Sequence, residues 1–118
     1  MTLRVGEIVI DCVDHETVVA FWMAAMGDYV RHEVNEQYVA IAPRERGAGR
    51  PPLMFQKVPE PKSVKNRVHL DLRGDTMADE VERLKGLGAT FIAERTLGET
   101  TRWTVMADPE GNEFCISE

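Results

Sequence analysis

Apolar and polar positions alternate along Leu3 to Val13, with Val5, Glu7, Val9 and Asp11 on one face and Gly6, Ile8, Ile10 and Cys12 on the other. A period of two predicts a strand with one apolar face and one mixed face. The spacing then changes. Asp14 stands at a helix N-cap with Glu16 in the first turn, and Val18, Phe21, Trp22, Ala25 and Met26 follow at helical intervals until Gly27 stops the run. Tyr29 to Glu33 and Gln37 to Ala42 read as a hairpin around Asn35 and Glu36. The stretch Pro43 to Pro52 is a Gly- and Pro-rich loop, and Leu53 to Val58 is a further strand.

Two prolines and several charges make 59–66 a linker, because they support neither a helix nor a central strand. After it the pattern restarts. Val68 to Leu72 alternates, Asp75 or Thr76 caps, and Met77, Val81, Leu84 and Leu87 form a narrower helical stripe ended by Gly88. Strands follow at about Ala89 to Arg95, Arg102 to Ala107 and Glu113 to Ser117, with Asp108-Pro109-Glu110-Gly111-Asn112 as the turn before the last. Asp75 and Gly88 stand 61 positions after Asp14 and Gly27, and Thr90-Phe91 stands at the same displacement from Tyr29-Val30. That offset predicts a duplicated unit of strand, helix and three strands. The expected organisation is one α+β domain over 1–118, with module 1 at about 1–58, the linker at 59–66 and module 2 at about 67–118.

Composition narrows the function. Fourteen Lys and Arg against twenty Asp and Glu leave a net charge of −6 with no basic cluster, which speaks against nucleic acid or an anionic membrane as partner. The longest apolar run, Val18 to Met26, is far short of the ~20 residues that span a bilayer. Glu7 falls where a signal peptide needs its apolar stretch, so a cytoplasmic location is expected. Cys12 and Cys115 are distant and lack a C-x-x-C spacing, which fits reduced thiols in that compartment.

Asp14 with Phe21-Trp22 and Met26-Gly27, then His69-Leu70-Asp71-Leu72, Leu84-x-x-Leu87-Gly88-Ala89 and Asp108-Pro109-Glu110-Gly111-Asn112-Glu113-Phe114, together resemble the vicinal oxygen chelate superfamily. This is the glyoxalase, bleomycin-resistance and extradiol dioxygenase group, and the chain is most similar to its small single-domain glyoxalase-like branch. The resemblance covers nearly the whole chain, and the D-P-x-G-N turn before a short apolar strand is its most specific part. It implies paired βαβββ modules forming a curved, cup-like mixed sheet, a small-molecule ligand or a metal in the cup, and a homodimer. Too few strands per module to close a barrel also leave edges for a partner or the other half to cover.

The same resemblance places metal ligands at Glu7, His69 and Cys115. Cys115 departs from the pattern, which usually has Glu there, and Glu113 on the same strand face offers an alternative carboxylate. Zn²⁺ or a similar divalent ion accepts carboxylate, imidazole and thiolate together, with a position left for water or substrate. A non-heme Fe(II) oxygenase needs two His and a carboxylate, and only one His is at hand. Glyoxalase-type isomerisation needs a carboxylate base beside a Lewis acid, for which Glu7 or Glu113 would serve. Two functions follow: a protein that binds a small organic ligand in an apolar cup without turning it over, favoured by Cys115, and a metal-dependent lyase or isomerase.

Other residues read more plainly. Asp71 shares a face with His69 and is odd for a buried sheet, so that face is expected to be wet and to form the ligand pocket with Glu7, His69 and Cys115. Trp103 shares a face with Val105, opposite Arg102, Thr104 and Met106; whichever face looks into the cup gives it either an aromatic wall or a polar and thioether one, and Trp103 is expected in the core or an interface. His15 is expected as a solvated ring in a first helical turn, His32 on an exposed hairpin, and Arg44 to Arg50 as a solvated, arginine-rich connection.

Overall fold

The computed structural model describes every residue except 46 and 48, so Arg46 of the arginine-rich loop lies outside the described residues. The chain divides into two compact units, Met1–Pro61 and Lys62–Glu118, each with the order β, α, β, β, β. The fold is α+β and consists of two βαβββ modules.

In the first unit, β1 (Ile8–Cys12), α1 (His15–Met26), β2 (Tyr29–Glu33), β3 (Tyr38–Pro43) and β4 (Leu53–Lys57) build a four-stranded sheet in the order β1-β4-β3-β2. β1 runs parallel to β4 and the other pairs are antiparallel. Asp14 caps α1 as its carboxylate accepts the Glu16 N–H at 3.1 Å, and Gly27, at φ 84°, turns its N–H onto the Met23 carbonyl. Only glycine enters that backbone region without strain, so the helix stops there. The buried face of α1, Val18, Val19, Phe21 and Trp22, packs on the strands, where the paired Val39 and Phe55 and the paired Ile41 and Leu53 are almost fully buried. Each such side chain contributes about 1.5–3 kcal/mol by leaving water. His15 is not a free solvated ring: its Nε2 lies 3.1 Å from the carbonyl oxygens of both Gln37 and Phe55, so it ties the start of α1 to the sheet. Arg50 pairs with Asp28 and lies over the Tyr29 ring, which anchors the end of the arginine-rich loop.

The second unit repeats the plan with β5 (Asp71–Arg73), α2 (Met77–Gly86), β6 (Thr90–Leu97), β7 (Thr101–Ala107) and β8 (Glu113–Ser117), in the sheet order β5-β8-β7-β6. β5 is parallel to β8, and a bulge interrupts the β6–β7 ladder between Phe91 and Ala93. Thr76 is the N-cap of α2, without a side-chain capping bond. Met77 and Leu84 of α2 are buried, as are Thr104, Met106, Phe114 and Ile116 of the sheet, and α2 packs against β6, β7 and β8.

The turn before β8 explains its own sequence. Asp108, only 2% exposed, accepts the N–H groups of Glu110 and Asn112 and the Asn112 side-chain amide at 2.8, 3.0 and 3.1 Å. The Gly111 N–H closes onto the Asp108 carbonyl with Gly111 at φ 89°. A carboxylate, a small amide and a glycine are therefore required at those three places, and together they set the direction in which β8 leaves.

Candidate functional site

The register of the second sheet sorts its side chains into rows. Asp71 of β5, Cys115 of β8, Val105 of β7 and Ala93 of β6 are cross-strand neighbours and share one face. Arg73, Ser117, Trp103 and Arg95 make the next row on that face. The opposite face carries Leu72, Ile116 and Thr104, then Phe114 and Met106, and most of it is buried. The face bearing Asp71 is the wet one, and beside it opens a cleft of about 540 Å³ lined by His69, Asp71, Arg73, Trp103, Ser117 and their neighbours. Trp103 is half-buried on the cleft side, while Thr104 and Met106 hold the core positions. The structure thus places Trp103 outside the core of this unit: parity defines two faces, and α2 covers the one with Thr104 and Met106.

His69 lies two residues before β5 rather than opening a strand, because the ladder with β8 begins only at Asp71 and Cys115. Its Nε2 is 3.5 Å from Asp71 Oδ1, with both side chains exposed. Cys115 is 3% exposed, and its N–H is held by the Leu70 carbonyl at 2.8 Å. Donor atoms of His69, Asp71 and Cys115 all lie within 4.8 Å of one another. Glu7 belongs to the first unit, directly before β1, and is exposed.

Burial pushes the Cys115 thiol up, and the negative charge of Asp71 and a hydrogen bond to its carboxylate push it further, with Lys65 opposing weakly. The thiol therefore carries its proton at neutral pH and directs it at Asp71. An ion placed among these donors would have to remove that proton and take Asp71 from it. A thiol, a carboxylate and one imidazole do not suit a hard, oxygen-preferring ion such as Mn²⁺. The residues present fit such a metal poorly.

Glu113, the alternative carboxylate, is already engaged. Lys62 Nζ is 2.7 Å from its Oε2, the Asn66 N–H donates to its Oε1 at 2.8 Å, and the Asn66 amide donates to its backbone carbonyl at 3.2 Å. Burial pushes its pKa up, but the Lys62 and Asn66 hydrogen bonds and the charges of Lys62 and Lys65 outweigh it and hold the carboxyl below the usual range. The end of the expected linker is thus fastened to β8 by Glu113.

Sequence reasoning did not single out Arg73, Ser117, Glu118 or Arg102 as site residues. Arg102 Nη2 is 3.0 Å from Glu118 Oε1 and its Nη1 is 3.5 Å from Glu94 Oε1, while Arg73 Nη1 donates to the Glu118 carbonyl at 3.1 Å. Only the folded strands bring Arg73 beside Ser117 and Arg102 beside Glu118, since these residues are scattered along the chain.

The family model for a glyoxalase-like domain matches residues 7–117, and the chain belongs to that family. No curated protein matches it by sequence. Among solved structures it is similar to a glyoxalase/bleomycin resistance protein/dioxygenase family enzyme from Burkholderia phytofirmans PsJN, at 20% identity over 98% of both chains and a TM-score of 0.77. A bleomycin resistance determinant encoded on the transposon Tn5 is similar at 14% identity over 95% of this chain and 94% of that one, with a TM-score of 0.66. A mutant of the fosfomycin resistance protein FosX from Listeria monocytogenes, complexed with Mn(II) and 1S,2S-dihydroxypropylphosphonic acid, is similar at 15% identity over 99% and 90%, with a TM-score of 0.79. At such identities the likeness is one of fold. No helix among the described residues is long and apolar enough to cross a membrane.

Proposed function

Starting from a glyoxalase-like chain, we propose that the protein binds a small organic ligand in the cleft of its second sheet and does not turn it over, as a cytoplasmic homodimer. One observation carries this reading: the half-buried Trp103 and the polar His69 and Asp71 line one cleft of about 540 Å³, while the nearby Cys115 keeps its proton. An aromatic wall with a few polar groups holds and orients a ligand. A protonated, buried thiol beside a carboxylate supplies neither a Lewis acid nor a free nucleophile. A bleomycin resistance determinant shares this fold.

The experiment is a ¹⁵N spectrum of the two indole N–H groups, with Trp103 identified by its loss in Trp103→Phe, recorded against a panel of small aromatic and aliphatic molecules. At least one should move the Trp103 signal, leave Trp22 in place, and be recovered chemically unchanged after incubation. A panel that leaves Trp103 unmoved, or a ligand recovered as product, refutes the reading.

A metal-dependent lyase or isomerase is the second reading, favoured by the closeness of the His69, Asp71 and Cys115 donor atoms and by the Mn(II) complex of FosX. It requires Cys115 as thiolate. Elemental analysis of untagged protein finding a divalent ion at a fixed ratio would establish it over the first.

A further inference from the structure

A filled cleft is either covered or left open to water, and the β6–β7 hairpin bears on which. The ladder between β7 and β8 runs from Ala107 with Glu113 to Trp103 with Ser117, whereas the ladder between β6 and β7 continues through Thr96 with Arg102 to Leu97 with Thr101. Beyond Trp103, therefore, the hairpin is a ribbon of two strands among the described residues, and every residue from Glu94 to Arg102 is exposed. Two strands without a covered face are marginally stable alone and belong to the easily displaced part of a fold. This arm is one wall of the cleft: Thr100 and Thr101 line it with Trp103 on one side, and His69, Asp71 and Arg73 line it on the other. Leu97 pairs with Thr101, two residues along from the pair of Arg95 and Trp103, so its side chain belongs to the cleft face, where it is 71% exposed.

The ion pairs of Arg102 lie on the other face of the arm. Arg102 alternates with Trp103, Glu118 with Ser117 and Glu94 with Arg95, which puts all three charged side chains behind the sheet. There Arg102 Nη2 is 3.0 Å from Glu118 Oε1 and Nη1 is 3.5 Å from Glu94 Oε1. The first pair links the arm to the end of β8, and the second braces its two strands against each other. A tie behind a ribbon draws it backwards, away from the cleft in front. We propose that the arm from Thr96 to Arg102 is a flap held open by the Arg102–Glu118 pair, and that on closing it swings about the row of Arg95, Trp103 and Ser117 and lays Leu97 over Trp103 and whatever rests on it. What the flap covers rests on the binding reading above; that it moves does not. Closing removes the apolar surface of Leu97 from water and gives up one exposed ion pair, which biases such an equilibrium by only about two- to fivefold, so both positions are within reach. A flap of this kind shuts water out of the cleft and makes Leu97 the residue that meets the outer side of a ligand.

The test adds a neutral gadolinium chelate to ligand-free protein labelled with ¹⁵N and ¹³C and reads the broadening of the Trp103 indole and the Leu97 methyls. The Trp22 indole, 1% exposed, is the unbroadened reference. In wild type the Leu97 methyls should broaden strongly and the Trp103 indole partly. Glu118→Gln, at an exposed position, releases the tie and should lower the broadening of both by about twofold as the flap closes. Adding Leu97→Ser removes the apolar contact that keeps the flap shut and should return Trp103 to its wild-type broadening. Unchanged or greater broadening in Glu118→Gln would overturn the tie, since an arm that only frays exposes both groups. A double variant whose Trp103 stays as protected as in Glu118→Gln would overturn Leu97 as the covering residue. These outcomes need no ligand, so they are separable from the indole panel. A flap that closes while no panel member moves Trp103 stands without the binding reading, and a panel member that moves Trp103 while Glu118→Gln changes nothing leaves the binding reading without the flap.

Discussion

Cys115→Ser separates a packing role from a ligating one. The thiol is 3% exposed, Asp71 and Val105 are its cross-strand neighbours, and its hydrogen points at the Asp71 carboxylate. A serine hydroxyl reaches the same acceptor, so the hydrogen bond survives. What changes is the burial of a polarisable sulfur, replaced by a smaller and more strongly hydrated oxygen, at a cost of about 1–2 kcal/mol. With a urea slope of about 2 kcal/mol per molar, typical of a small protein, the midpoint should fall by about 0.5–1 M at unchanged slope.

The pH dependence has a definite sign. The folded thiol titrates above its unfolded value, so its contribution is whole below the unfolded value and fades as pH rises through the folded one. The gap between wild type and Cys115→Ser should therefore narrow on the alkaline side. Affinity for a ligand that moves the Trp103 indole should stay within about twofold, because the Trp103 side chain is not altered. A Co²⁺ titration followed by absorbance completes the assay. A thiolate-to-cobalt charge-transfer band in wild type that vanishes in Cys115→Ser, with metal-free stability unchanged, would refute the packing argument and return Cys115 to the ligands.

Three further outcomes follow. Lys62→Met leaves the largely buried Glu113 without its cation and should cost about 1–3 kcal/mol at neutral pH by urea melts. Because the folded Glu113 carboxyl is held low, its contribution is present above the unfolded value and lost as pH falls through the lowered one, so the variant should show a shallower acid limb. Asp108→Ala removes the acceptor of three turn hydrogen bonds and should destabilise by about 3 kcal/mol, visible as a lower thermal midpoint, with the Trp103 signal also displaced because β8 starts from this turn. Light scattering at micromolar concentration should give twice 13.3 kDa, and a monomer mass would count against the dimer.

The elements most legible in the sequence are those specified by neighbours along the chain. Asp14 and Gly27 bracket α1 because a cap and a positive φ are local requirements, and Asp108, Gly111 and Asn112 describe a turn whose bonds stay within five residues. Strand lengths are set elsewhere. Alternation from Leu3 predicts an early start, yet β1 begins at Ile8 because its ladder runs only from Ile8 with Leu53 to Cys12 with Lys57. β5 likewise extends over the three residues that β8 pairs, from Asp71 with Cys115 to Arg73 with Ser117, and His69 is left outside it. Periodicity describes what a residue could do in a strand, and the partner decides whether there is one.

The same distinction divides the candidate site. His69 and Cys115 are legible only through the family resemblance, the first by its strand and the second by its spacing from the turn glycine, and Asp71 because it shares the His69 face. Periodicity leaves open which face of β7 is covered, although hydropathy ranks Trp103 above Thr104 for the core. Thr104 is 3% exposed all the same, for α2 covers its face of β7 and a residue's neighbours, not its size, choose the face. Arg73 and Ser117 carried no signal at all: an arginine at the end of a short strand and a serine near the end of another are ordinary surface residues until the register puts them in contact. Chemistry assembled across strands is thus the part of a β-rich site that one-dimensional reading reaches last.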